Sequence, residues 1–461
     1  MSPYDLIIHS GTIITSGGVF PGTIAVRDGR IAGILAANER PEAAQQIDAS
    51  GLHILPGLID THVHLRDPGR PEREDFTTGT SAAAAGGVTT ILEMPISEPP
   101  VNSGANLSQR AALVQQRALV DFGLYGAAGA ENIDQIAAQA EAGAVAFKTF
   151  LHAPPPGRAH EFFGLCCTDD GVLPQIMMAV KATGLRHCFH CENDAMLEAG
   201  IARMHAAGRI DGLAHAETRP PVVEDVAVAQ ILALATAIGG PVQIVHLSAP
   251  LSAQLIHEAR ARGLDVTAET CPQYLFLDIS ALETHGPYAK CNPALRTPED
   301  VMSIWVALHN GTIDVIGSDH SPYVAAEKER GWANIFDTPA GVPGLETTLP
   351  LLLTAVYQGR LDLPTLVRLT SERAGQIFRL PGKGRIAAGY DADLTLVDLQ
   401  DTWIFDHTHC LTKARECMKL WDGRSMHGRV VTTLVRGTTI FHNGAIVAQP
   451  GYGRFVRPDP I

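Results

Sequence analysis

Leu58-Ile-Asp-Thr-His-Val-His64 decides how this chain is read. The run opens apolar, as a buried strand does, and closes on histidine, valine, histidine. Side chains alternate along a strand, so His62 and His64 project to one face at its C-terminal end. Two imidazoles placed that way form half a metal site. A hydrogen-bonded core strand can also carry such a pair, so the rest of the chain must decide.

Seven further short β-like runs follow, at residues 88–94, 120–128, 144–151, 186–192, 242–248, 264–270 and 313–319. Ala-rich, helix-like segments separate them, at 106–118, 133–142, 171–182, 223–238, 249–262 and 298–310. Strands alternating with helices indicate parallel βα units, and eight of them close a (β/α)8 TIM barrel of the α/β class. An open doubly wound sheet is the alternative, but no GxGxxG fingerprint supports it. The ends read differently. Residues 4–52 and 384–448 are short strands punctuated by Gly turns, two half-sized segments that would combine into one small β-sandwich. The expected division is 1–55 for the first part of the sandwich, 56–380 for the barrel, and 381–461 for the second part and a C-terminal tail. Loops at 153–158 and 323–343 are long enough to cover a barrel mouth.

The other strands also end in chemistry. Lys148 lies in the fourth, His190 in the fifth and His246 in the sixth, while Asp319 ends the eighth. A barrel gathers its C-terminal strand ends at one mouth, where active sites lie. Singly, each residue has an ordinary reading: a core histidine, a snorkelling lysine, a helix N-cap aspartate. Their joint placement favours a metal hydrolase over that reading. Nitrogen and oxygen donors suit Zn2+, and also Mn2+, Co2+ or Fe2+. Lys148 fits awkwardly, because an ammonium repels a divalent cation. Burial would favour its neutral amine, and a neutral amine reacts with CO2 to give a carbamate, an anion able to bridge two metals.

Composition narrows the partners. Of 461 residues, 46% are hydrophobic and 18% charged, which excludes a disordered or fibrous chain. Lys+Arg 35 against Asp+Glu 49 gives −14 with no basic stripe, so neither nucleic acid nor an anionic membrane is an expected partner. The N-terminus has Asp5 and no early Lys or Arg, which argues against a secretory signal and for the cytoplasm. Residues 226–245 lack charge, but Gly239-Gly240-Pro241 divides them into a buried helix and a buried strand rather than a membrane span. The eight cysteines are scattered and read as reduced thiols. Cys188-Phe-His-Cys191 has no second CxxC to complete a zinc finger.

Several segments resemble the cyclic amidohydrolases, the family of dihydroorotases, allantoinases, hydantoinases and dihydropyrimidinases. They are Pro56 to His64, Phe147-Lys-Thr-Phe150, His190-Cys-Glu-Asn193, Val245-His-Leu-Ser248, Glu269-Thr-Cys-Pro272, Gly317-Ser-Asp-His-Ser-Pro322 and Gly384 to Leu394. The resemblance spans nearly the whole chain. It implies a barrel with a composite sandwich and two divalent metal ions. His62 and His64 would hold the first with Asp319, and His190 and His246 the second, bridged by carboxylated Lys148. It also implies hydrolytic opening of a small cyclic amide, with Asp319 as acid and base, and a homodimer or homotetramer.

The branch within the family is less uniform. His64-Leu-Arg-Asp-Pro-Gly69 and Tyr288 to Arg296 resemble dihydroorotase, in which Arg66 and Asn292 would hold the substrate. Two further carboxylate contacts of that branch are replaced here by Ile96 and Tyr323. His190-Cys-Glu-Asn-Asp194 and Asp319-His-Ser-Pro322 resemble allantoinase. An allantoinase- or hydantoinase-like activity on a neutral ring is therefore expected, with Arg66 and Tyr323 bonding or packing on it. Dihydroorotase is the alternative. A catalytically inactive dihydroorotase-like scaffold is a second, which loss of a metal ligand would mark. Arg66 could also simply pair with Asp67 or Glu74.

Overall fold

The computed structural model describes residues 3–460. Its barrel strands are Leu58–Val63, Val88–Glu93, Asp121–Leu124, Phe147–Phe150, His187–His190, Val242–Ile244, Val266–Thr270 and Val315–Ile316. Each pairs in parallel with the next; the third continues past Tyr125 as Gly126–Ala127 to reach the fourth. A parallel bridge from His320 to Val63 joins the eighth strand's end to the first. Every strand residue is buried, as expected where helices cover a parallel sheet.

The strands are shorter than the apolar runs suggest. The sixth stops at Ile244 and the eighth at Ile316, before His246 and Asp319. Those two residues have left-handed backbones, φ 40° and 48°, which an extended ladder cannot include. Helices Pro221–Ile238, Pro250–Ala261 and Pro298–His309 follow the fifth, sixth and seventh strands. The last starts at Thr297, whose hydroxyl accepts from Asp300 N while the Asp300 carboxylate accepts from Thr297 N. The uncharged run at 226–245 lies partly in Pro221–Ile238, which buries one face on the barrel, and partly in the sixth strand.

Both chain ends build one nine-stranded, sandwich-like sheet. Its central join is the antiparallel pairing of His53–Pro56 with Leu394–Ile404, where Pro56 faces Leu394. Ile8, Ile13, Ile24, Ile54, Leu394 and Leu434 form its core. At the opposite end of the barrel from the mouth, Lys383 meets Asp121 of the third strand together with Asp391 at 2.9 Å and Asp393 at 2.7 Å. The C-terminal segment returns to stack Phe455 on Phe122, ring centroids 5.5 Å apart. Between Leu394–Ile404 and Ser425–Val435 the chain leaves the sheet. There Cys417 Sγ donates to Tyr323 O and Leu411 N donates to Glu346, an excursion toward the mouth that the sequence pattern does not announce.

Candidate metal centre and active site

His62, His64 and Asp319 meet at the barrel mouth. Asp319 Oδ1 lies 3.4 Å from the Nε2 of each histidine. The His62 ring is 5.4 Å from that of His246, which is 4.5 Å from that of His190, so four imidazoles form one continuous group. Lys148 is fully buried and within electrostatic reach of Asp319 and Glu269.

Hydrogen bonds to carboxylates choose the free nitrogen of two of the rings. His62 Nδ1 is 2.7 Å from Glu269 Oε1, so its Nε2 faces Asp319. His190 Nε2 is 2.8 Å from Glu192 Oε2, so its Nδ1 faces His246 Nε2, also at 2.8 Å. Carboxylates that hold the far side of an imidazole are the usual supports of metal-ligating histidines. Glu269 accepts from Thr61 Oγ1 at 2.5 Å, and Arg219 lies 3.2 Å from Glu192. Asp60 accepts from His62 N at 3.1 Å and from Ser318 N at 3.0 Å, tying the first strand's end to the eighth's. Gly317 makes room for this junction, since a Cβ there would stand 3.0 Å from both the Glu269 carboxyl and His62 Cβ.

Burial sets the electrostatics. It holds His64, His190 and His246 well below the ordinary histidine value, leaving neutral rings with lone pairs to offer. It lowers Lys148 to about 8 and raises the Asp319 carboxyl. His64 Nδ1, His246 Nδ1 and Lys148 Nζ are buried without a hydrogen-bond partner. Buried polar groups are rarely left that way. An unpartnered amine beside facing imidazole lone pairs and a carboxylate fits a pair of divalent cations. The left-handed backbones of His246 and Asp319 add strain of the kind that gathers at functional sites.

Beside this centre stands a cationic cluster. Arg66 is buried, and its Nη2 donates to Ser321 Oγ at 2.9 Å and Tyr323 Oη at 3.3 Å. Asp67 instead meets Arg117, and Glu74 accepts from Thr78 and Thr412, so neither pairs with Arg66. Tyr323 is also buried, and its hydroxyl accepts from Arg158 at 3.0 Å. Burial pushes the phenol up, but Arg158, Arg66 and Arg73 outweigh it and bring it down to about 8. Tyr323 therefore does not lie open as a stacking platform; it is clamped among guanidiniums. Ile96 lies in an apolar patch with Phe150 and Phe162. Asn292 is half-buried with Oδ1 unpartnered, two residues past Lys290, which donates to Ile335 O and Thr338 O of the loop after the eighth strand.

Sequence reasoning did not assign Glu269, Glu192, Arg158, Glu161 or His152. Glu192 was open to it, being two residues past His190, just beyond the end of the fifth strand. Arg158 and Glu161 were not, because their loop reaches the mouth through contacts with remote loops.

An amidohydrolase family model matches residues 53–440. An allantoinase of Desulfitobacterium hafniense is 37% identical over 463 residues, covering 99% of this chain and 100% of that protein. A dihydroorotase of Methanothermobacter thermautotrophicus is 37% identical over 436 residues, 94% of this chain and 93% of that one. The solved L-hydantoinase of Arthrobacter aurescens superposes with a TM-score of 0.94 at 35% identity, covering 98% of this chain and 100% of that one. With four histidines, a lysine and an aspartate at a barrel mouth and similarity along nearly its full length, this chain belongs to the amidohydrolase family.

Proposed function

We propose that this chain is a metal-dependent hydrolase that opens the ring amide of a hydantoin- or allantoin-type substrate. The observation that carries it is Lys148, a buried, unpartnered amine within electrostatic reach of His64, His190, His246 and Asp319. In this reading His62, His64 and Asp319 would hold one cation and His190 and His246 the other, with Lys148, as a carbamate, supplying the anionic charge that two neighbouring cations need. Zn2+ suits the donors, as do Mn2+, Co2+ and Fe2+. When bound, the cations supply Lewis acidity, acidifying water and polarising the ring carbonyl. Asp319 accepts the proton of the attacking water and returns it to the leaving ring nitrogen. Glu269 and Glu192 keep the two flanking imidazoles in register.

Arg66 favours a second reading. It is a buried guanidinium with no carboxylate partner and with Nε and Nη1 unbonded, and Arg158 stands close by across Tyr323. A substrate carboxylate, as in dihydroorotate, would satisfy it even though Ile96 and Tyr323 stand where that branch has two further carboxylate partners. An inactive scaffold is disfavoured because all six donors are retained. The deciding experiment is a panel of allantoin, hydantoin, dihydrouracil and dihydroorotate at one metal loading. The first reading expects allantoin or a substituted hydantoin to have the highest kcat/KM. A tenfold lead for dihydroorotate, about 1.4 kcal/mol of transition-state preference, would move the assignment to that branch.

A cytoplasmic setting accords with eight free, buried cysteines. A homodimer or homotetramer accords with the exposed Val222 and Val226 on helix Pro221–Ile238, and light scattering would test it.

A further inference from the structure

His152 has no part in the centre described above, yet it stands against it. Lys148, Phe150 and His152 alternate along the fourth strand and its exit, and Lys148 Nζ lies 4.9 Å from the Phe150 ring centroid. The His152 ring packs edge-on against His190, centroids 4.8 Å apart, and against Phe150 at 5.5 Å. The next residue is pinned, since Ala153 N donates to Asp194 Oδ1 at 2.7 Å. His152 Nδ1 lies 2.6 Å from Ala153 O. A carbonyl can only accept, so Nδ1 carries the hydrogen and the neutral ring presents Nε2 as an acceptor. Nε2 makes no hydrogen bond to any described residue and keeps some accessible surface.

Beyond the centre itself, the charged side chains acting on His64 are the guanidiniums of Arg66 and Arg158, which can only donate. A cyclic ureide or imide offers carbonyl oxygens to such donors, but it also carries ring N–H groups that need an acceptor. We propose that His152 Nε2 is the acceptor for a ring N–H of the substrate, fixing which way the ring lies over the centre. This rests on the ring-amide reading and adds a specificity-determining residue to it. It explains why the loop is pinned at Ala153 and why a polar ring is placed between Phe150 and His190, where an apolar residue would pack as well.

The test uses the metal-loaded enzyme with hydantoin and its N1-methyl and N3-methyl derivatives, comparing wild type, His152→Phe and His152→Gln. The Phe variant keeps the ring and loses the acceptor, whereas Gln keeps an oxygen near the Nε2 position. His152→Phe is expected to lose about tenfold in kcat/KM on hydantoin, mainly through KM, with metal content unchanged. His152→Gln should recover most of that loss. One methylated derivative should be equally poor with wild type and His152→Phe, because the same bond is already missing. Full activity of His152→Phe on hydantoin would overturn the proposal, as would an equal loss on all three substrates or a loss that tracks missing metal. If wild type opens no ring amide, the ring-amide reading itself fails, a result distinct from these.

Discussion

Lys148 would be an expensive residue in a barrel of any other purpose. A fully buried amine with no hydrogen-bond partner costs stability unless something binds it, and burial has already lowered its pKa to about 8. Lys148→Ala should therefore cost metal and most activity, and short carboxylic acids should restore part of the turnover by filling the gap. Intact metal content and activity in that variant would contradict the bridging role. Asp319→Asn keeps the shape of the side chain but cannot accept a proton, so kcat should fall by ~10²-fold. A kcat within a few-fold of wild type would contradict the acid–base role. At this scale the donors were legible in the sequence, because alternation along a strand turns spacing into a shared face. Their supports were less so. Glu269 and Glu192 act through distances of 2.7 and 2.8 Å to histidines, which spacing alone does not reveal.

Among the elements, the loop after the fourth strand most affects access to the site. Arg158 and Glu161 pair within it, Arg158 reaches Tyr323 after the eighth strand, and His160 meets Glu98 after the second at 2.7 Å. Burial alone would raise the Glu161 carboxyl, but Arg158 brings it down to about 2 from an ordinary 4.5. Because the folded value is the lower one, this anchor is at full strength above about pH 4.5 and fades as the pH falls toward 2. Limited proteolysis should cut within 151–165 faster at about pH 3 than at about pH 5 relative to cuts elsewhere, and an unchanged cutting pattern would contradict the anchor. The sequence marked this loop by its length and its prolines, but not where it lands. The eight strands were legible as apolar runs, and their true ends were not. His246 and Asp319 look like strand residues in sequence but lie just past the strand ends with left-handed backbones.

Across the whole molecule, the two chain ends hold the barrel from the side opposite the mouth. Lys383, 4% exposed, sits among Asp121, Asp391 and Asp393, a group that needs its cation. Lys383→Met leaves those carboxylates facing one another and should destabilise the fold by about 3–5 kcal/mol in denaturant unfolding, with kcat little changed. A loss under about 1 kcal/mol would mean that Arg436, which also meets Asp121, suffices alone. That the ends join was legible from their matching strand-and-turn pattern. The return of residues 406–424 to the mouth was not, because nothing local in that stretch signals a partner so distant in sequence. The central claim is that a metal-loaded barrel mouth opens a cyclic amide, and its most direct test is activity against metal content. Chelated enzyme assayed on the ring-amide panel should be inactive, and turnover of at least one member should rise with added Zn2+ or Mn2+ until about two ions per chain are bound. Ring opening that persists in metal-free enzyme, or no ring opening at any metal loading, would contradict it.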